Sequence, residues 1–107
     1  MGKNEIFRLC DQIRETCYSM HRFFGPRHLE KVYENSLALR LRKQGLAVEQ
    51  KIPLNVYDED GTNVGVYEAD LLVSGCLLIE LKAVTAIHDQ HVSQLLGYLQ
   101  TTGLEHG

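Results

Sequence analysis

The sequence predicts a fold of the α/β class in an α+β arrangement. Helices pack on a central, mostly antiparallel or mixed sheet, in the order α-α-β-β-β-α. Two observations predict it. Apolar residues recur with a helical period before residue 45 and after residue 88, and with a strand-like period between them. Turn-forming residues divide the middle segment into strands. A chain of 107 residues has room for one hydrophobic core, so we expect a single domain spanning residues 1–107.

Three amphipathic helices are expected, over residues 4–24, 28–44 and 89–102. Gly25 and Pro26 end the first. A glycine follows each of the other two, as is common at helix C-termini. The residues expected to face inward are Ile6, Leu9, Cys10, Ile13, Cys17, Met20 and Phe24 in the first helix, Leu29, Val32, Tyr33, Leu37 and Leu41 in the second, and Val92, Leu95, Leu96 and Leu99 in the third.

The middle of the chain predicts three strands, over residues 47–57, 64–73 and 76–84. Residues 58–63 form a polar hairpin turn between the first two. The stretch 76–84 is the most continuously apolar in the chain, which is typical of a strand that is buried on both faces. We therefore place it at the centre of the sheet.

Two charged residues interrupt that apolar strand. Strand alternation puts Glu80 and Lys82 on one face, and an acid in the preceding strand, Asp70, can lie opposite Glu80 if the two strands form a hairpin. A two-residue turn would point the carboxylates to opposite faces. The two carboxylates can therefore share a face only with a three-residue loop over 74–76, or an equivalent bulge, in which Gly75 has a positive φ.

Two carboxylates on rigid strands suit Mg²⁺ or Mn²⁺, which prefer oxygen ligands. The backbone carbonyl of Leu81 is a further candidate ligand, and Lys82 is placed to stabilise charge on a phosphate or to orient a water molecule. From the residues alone, a purely structural cluster of Asp70, Glu80 and Lys82 is an equally good interpretation.

Charge is distributed unevenly along the chain. Residues 1–51 carry a net charge of +4 and residues 52–107 a net charge of −7, and Lys82 is the only Lys or Arg in the second half.

No segment is long and apolar enough to span a membrane. The charged N-terminus does not resemble a signal peptide, so we expect a cytoplasmic protein. Three cysteines without a C-x-x-C pair, and histidines without zinc-ligand spacing, argue against disulfides and zinc.

Several ordered motifs resemble the small bacterial and archaeal GxxExxY proteins, a branch of the PD-(D/E)XK nuclease superfamily. The resemblance covers nearly the whole chain. The motifs that carry it are Met20-His21, Gly25-Pro26, Leu29-Glu30-Lys31-Val32-Tyr33, Ala69-Asp70-Leu71-Leu72-Val73, Glu80-Leu81-Lys82-Ala83 and Gln94-Leu95-Leu96-Gly97-Tyr98-Leu99.

The resemblance implies a restriction-endonuclease-like core and hydrolysis of nucleic acid with Mg²⁺ or Mn²⁺, with DNA favoured over RNA. It adds Glu30 to the metal-binding and catalytic set of Asp70, Glu80 and Lys82. It also implies that Gln94 and Tyr98, which resemble a Q-x-x-x-Y motif, line the site together with Tyr33.

The chain departs from the family pattern in two places. Arg27 stands where the name-giving glycine is expected, and we expect it to meet substrate phosphate instead. Relatives continue after residue 104 with an apolar strand, so the final strand is either truncated or absent here. An exposed sheet edge would favour pairing with another copy as a homodimer. The rival functions are a catalytically inactive module that binds nucleic acid or protein, and a small-molecule phosphoesterase.

Overall fold

The computed structural model describes residues 2–84 and 86–107. Its elements follow the predicted order α-α-β-β-β-α. They are α1 (Lys3–Phe24), α2 (Glu30–Lys43), β1 (Val48–Tyr57), β2 (Asn63–Val73), β3 (Leu77–Ile79) and α3 (Asp89–Thr102). The three strands form one antiparallel sheet in the order β1-β2-β3. The predicted fold class is confirmed.

The helices cover both faces of the sheet. Leu77 belongs to the core cluster built with α1 and α2, whereas Leu78 belongs to a second cluster that includes Tyr98 of α3. Neighbouring residues of a strand point to opposite faces, so α1 and α2 lie on one face and α3 on the other. Within the described ranges, no helix is both long and apolar enough to cross a lipid bilayer.

The hairpin between β2 and β3 has the predicted three-residue loop. Val73 pairs with Leu77, which leaves residues 74–76 in the turn. Gly75 has φ 67°, as expected, and Ser74 is also left-handed at φ 53°. Continuing this register places Asp70 opposite Glu80, so the odd-length turn that the shared carboxylate site requires is present.

The third strand differs from its prediction in length and position. It ends at Ile79 rather than near residue 84, and it borders β2 instead of lying at the sheet centre. The strand ends early because carboxylate side chains, and not a neighbouring strand, accept hydrogen bonds from the backbone N–H groups after Ile79. Asp70 accepts one from Leu81 N, and Glu30 accepts one from Ala83 N. On its outer side, β3 makes an isolated parallel bridge from Leu77 to His106. The homodimer stays a prediction.

Some predicted inward positions are wrong. Leu29 is 80% exposed because it caps the N-terminus of α2 and lies outside the buried stripe of that helix. Val92 and Leu96 are also exposed. The third helix meets the sheet through Tyr98, with Leu95 and Leu99 packed beside it, and Leu96 is rotated by about 100° from Leu95.

Two glycines provide a matched test of the turn. Replacing Gly75 by alanine should lower the free energy of unfolding by about 1 kcal/mol, because an L side chain is strained at its positive φ. Replacing Gly97 by alanine should raise it by about 1 kcal/mol, since Gly97 lies inside α3 with open space around an added Cβ. Urea denaturation measures both. Equal effects of the two substitutions would contradict the assigned turn.

Candidate active site

Hydrogen bonds connect Asp70 in β2 with the segment that begins at Glu80, directly after β3. The backbone N–H of Asp70 donates to Glu80 Oε1 at 3.0 Å, and the backbone N–H of Leu81 donates to Asp70 Oδ2 at 2.8 Å. Each carboxylate is therefore held by the backbone beside the other. Strand pairing brings the two acids together, although they are ten residues apart in sequence.

The pair is electrostatically strained. Burial, followed by the negative charge of Asp70, raises the pKa of Glu80 to about 7, against the opposing effects of the Asp70 N–H and of Lys82. Burial disfavours the charged form of a carboxyl group, and so does a neighbouring carboxylate. A cation placed between Asp70 and Glu80 would relieve both effects.

Lys82 is on the same side of the chain as Glu80, as strand alternation predicts. Its Nζ lies 4.0 Å from Glu80 Oε2, and the two side chains are 21% and 11% exposed. The alternate residues Leu77, Ile79 and Leu81 pack against the core formed with α1 and α2. The apolar half of the segment thus anchors it, and the polar half is presented at the site.

Glu30 reaches the same segment from α2 but binds its backbone. Its Oε1 accepts a hydrogen bond from Ala83 N at 3.0 Å. In the part of the chain that the structure describes, no three His, Cys, Asp or Glu side chains are grouped closely enough to hold a metal ion. The structure brings Asp70, Glu80 and Lys82 together. It places Glu30 at Ala83, two residues after Leu81, and the metal-binding and catalytic role of Glu30 stays a prediction.

A buried acid that the sequence reasoning missed lies one turn after Glu30. Glu34 is 2% exposed and accepts hydrogen bonds or ion pairs from Lys51 at 2.7 Å, Gln50 at 2.8 Å and Lys31 at 3.6 Å. Burial alone would raise the pKa of Glu34, but the hydrogen bonds from Lys51 and Gln50 and the charges of Lys51 and Lys31 outweigh it, and the pKa is lowered. Glu34 is an ionised, fully partnered group.

Lys51 connects Glu34 to the acid pair. Its Nζ lies 3.6 Å from Asp70 Oδ1 and 3.7 Å from Glu68 Oε1, in addition to the close contact with Glu34. The hydrogen bond with Glu34 raises the pKa of Lys51 despite the opposing effect of burial. Lys51 is the only non-glycine residue at positive φ within a described strand, at φ 57°. The register of its neighbours places it opposite Asp70, and such strain is often concentrated at functional sites.

A sequence signal for Glu34 did exist. The four buried residues of α2 are Glu34, Leu37, Ala38 and Leu41, which follow the i, i+3, i+4, i+7 spacing of one helix face. An acid at the first position of an apolar stripe is a candidate for a buried, partnered group. The left-handed backbone of Lys51 had no comparable signal, because its neighbours are ordinary strand residues.

Gln94 and Tyr98 form the predicted pair on one face of α3. Gln94 Nε2 donates to the Tyr98 hydroxyl at 2.8 Å, and the ring of Tyr67 lies 5.2 Å from that of Tyr98. Burial raises the pKa of Tyr98, as do the nearby negative charges of Glu80 and Asp70. Tyr98 therefore lies near enough to the acid pair to sense its charge, and its proposed role in the site stays a prediction.

The other two predicted contact residues are at the start of α2. The Tyr33 hydroxyl donates to the carbonyl of Gly25 and accepts from His28 N at 3.2 Å, so it ties down the loop that enters the helix. Arg27 lies in that loop with an exposed side chain. The structure leaves the substrate contacts of both residues as predictions.

The oxygen atoms grouped where β2 meets the segment after β3 suit a hard divalent cation. Asp70 and Glu80 supply two adjacent carboxylates, and Leu81 supplies a backbone carbonyl next to them. Mg²⁺ is commonly bound through one or two carboxylates and completes its shell with water and substrate oxygens.

A helix-flanked antiparallel sheet with two carboxylates and a lysine at one corner is the arrangement expected of a nuclease-type fold. The chain matches the model of the PD-(D/E)XK nuclease superfamily over residues 8–107, and it belongs to that superfamily. No significant match appears among curated proteins or among solved structures. Assignment to the GxxExxY branch stays a prediction.

Proposed function

We propose that the protein is a Mg²⁺- or Mn²⁺-dependent nuclease that hydrolyses phosphodiester bonds of nucleic acid, with DNA favoured over RNA. One observation carries the proposal: Asp70 and Glu80 are paired across the hairpin with Lys82 beside them. Membership of the nuclease superfamily supports it. A cytoplasmic location is part of the same proposal.

The residues around the Asp70–Glu80 pair have distinct roles in this proposal. Asp70, Glu80 and the carbonyl of Leu81 would hold the cation, which when bound polarises a phosphoryl oxygen and lowers the pKa of water. Lys82 would stabilise the negative charge that develops on the phosphate. Glu30 fixes the position of the segment that carries Lys82 through its hydrogen bond to Ala83 N.

Substrate binding must overcome the acidic second half of the chain. Nonspecific affinity for nucleic acid comes mainly from Lys and Arg contacts to phosphate, and the basic residues lie almost entirely before residue 52. The structure places Lys31 and Lys51 on either side of Glu34, and Lys51 also contacts Asp70. We propose that these lysines, with Arg27, supply the phosphate contacts beside the acid pair.

A cleavage assay tests the proposed function. Wild-type protein is incubated with single- and double-stranded DNA and RNA in Mg²⁺, Mn²⁺ or EDTA, beside Asp70→Asn and Lys82→Ala. We expect cleavage only with metal, and a loss of roughly 100-fold to 1,000-fold in each variant. Asp70→Asn removes a carboxylate that would hold the cation, and Lys82→Ala removes the charge that would stabilise the reacting phosphate. Lys43→Ala is the matched control, since Lys43 lies exposed in the last turn of α2, and it should retain full activity.

Cleavage that survives both site substitutions would refute the assigned site. The rival is a binding module without catalysis, and one observation favours it: backbone N–H groups already engage Asp70, Glu80 and Glu30, as in a structural polar cluster. Calorimetry showing no Mn²⁺ binding would support the rival. Turnover of a chromogenic phosphodiester without cleavage of any polymer would indicate a small-molecule phosphoesterase.

A further inference from the structure

A cleft of about 800 Å³ opens beside the candidate active site. We call it the Lys82 cleft, because Lys82 is one of its lining residues. Its walls combine apolar and polar side chains. Six of the lining residues are Met20, His21, Pro26, Tyr33, Lys82 and Ala83. One wall comes from α1, the loop after it and α2, and another comes from the segment that follows β3, while His88, Gln90 and His91 line the cleft at the start of α3.

The size and lining of the cleft match one nucleoside better than a duplex. Its volume lies within the roughly 300–1,000 Å³ of ordinary small-molecule sites. A paired base is stacked inside its helix and cannot enter such a cleft unless it is first unpaired and extruded. Tyr33 and His21 are among the lining residues, and stacking of a base on an aromatic side chain contributes about 1–3 kcal/mol.

Lys82 and Glu30 are the Lys, Arg, Asp or Glu residues that line the cleft, and Glu30 accepts a hydrogen bond from Ala83 N. Lys82 lines the cleft and lies beside the acid pair, so a phosphate held by Lys82 would have its attached nucleoside next to the cleft. Arg27 directly follows the lining residue Pro26 in the chain and is exposed. A second cation is thus available for a neighbouring phosphate.

We infer that the Lys82 cleft binds one unpaired nucleotide next to the phosphate that is cut, so that single-stranded or frayed nucleic acid is the substrate. The inference rests on the proposed function for the location of that phosphate. Binding of the strand itself requires no cleavage, so the two are tested separately.

Binding in EDTA isolates the cleft from the chemistry. The anisotropy of a fluorescein-labelled 12-nucleotide strand is compared with that of the same strand in a blunt duplex. We expect the single strand to bind at least tenfold more tightly. Ala83→Trp would fill the cleft and weaken single-strand binding at least tenfold, while leaving the backbone N–H that bonds Glu30. The matched control is Ala47→Trp, at an exposed position before β1, which should bind within twofold of wild type.

A second measurement applies even if Ala83→Trp fails to fold. The chain has two methionines, and Met20 is 4% exposed in the cleft wall, so its methyl resonance reports on occupancy of the cleft. Addition of a dinucleotide to wild-type protein should shift that resonance. An unmoved Met20 resonance, or duplex binding as tight as single-strand binding, would overturn the inference.

The outcomes separate the two claims. Single-strand binding in EDTA that Ala83→Trp weakens, without cleavage in any metal, supports the cleft and refutes the nuclease function. Metal-dependent cleavage with single-strand binding that Ala83→Trp leaves unchanged supports the nuclease function and refutes the cleft.

Discussion

Replacement of Lys51 by alanine is expected to lower the free energy of unfolding by about 2–3 kcal/mol. The Glu34 side chain is buried and its contact with Lys51 Nζ is 2.7 Å. Removing one partner leaves the other as a buried, poorly compensated charge. Lys31 and Gln50 still reach Glu34, which keeps the loss below that of a fully isolated ion. In a domain of this size the melting temperature should fall by about 10–20 °C.

A double-mutant cycle checks the physical reason for this loss. Lys51→Met, Glu34→Gln and the double variant should show a coupling energy of at least about 1 kcal/mol, because the two side chains contact each other. Lys43→Ala, at an exposed position, serves as the control and should change stability by less than about 0.5 kcal/mol. Additive effects of Lys51→Met and Glu34→Gln would show that the ion pair does not stabilise the fold.

Replacement of Glu80 by glutamine is expected to stabilise the protein at pH 8 and to reduce its cleavage activity by at least about 100-fold. The pKa of Glu80 is about 7 in the folded protein, against an ordinary glutamate value of 4.5. Between these values the folded state holds a proton that the unfolded state has released, so the stability of the wild type falls as pH rises through this range. Glutamine stays neutral and keeps an oxygen to accept the Asp70 N–H.

The increase in the free energy of unfolding that Glu80→Gln produces should depend on pH. At pH 8 it should be about 2–3 kcal/mol, since each pH unit of the shift corresponds to about 1.4 kcal/mol, and the Glu80 side chain is only 11% exposed. At pH 4 the gain should vanish, because Glu80 is then protonated in both states. Urea denaturation at the two pH values measures it. The control, Glu59→Gln in the exposed hairpin turn, should leave the free energy of unfolding unchanged at both pH values.

Activity provides the second measurement on Glu80→Gln. Loss of one carboxylate from the proposed metal pair should reduce metal-dependent cleavage by at least about 100-fold. A variant that is both more stable and inactive would show that the acid pair is kept for function at a cost in stability. A destabilised variant at pH 8 would contradict the strained state of Glu80, and retained activity would contradict its role.

Much of the fold could be predicted because its signals are local. Helical and strand-like periods identified all six elements, and the required odd-length turn at Gly75 was confirmed. The third strand was wrong in extent because a continuous apolar run does not record which backbone groups lose their strand partners. Here the carboxylates of Asp70 and Glu30 accept hydrogen bonds from backbone N–H groups after Ile79.

The sequence by itself determined the element order, the position of Lys82 on the face of Glu80, and the turn length that Asp70 and Glu80 need in order to share a face. These follow from the period of each element and the length of one turn, which are properties of neighbouring residues. Only the tertiary structure decided that Glu34 is buried, that Lys51 joins it to Asp70, and that a cleft opens beside Lys82. Those features arise where helices meet the sheet, and contacts between residues distant in sequence are not encoded in any local period.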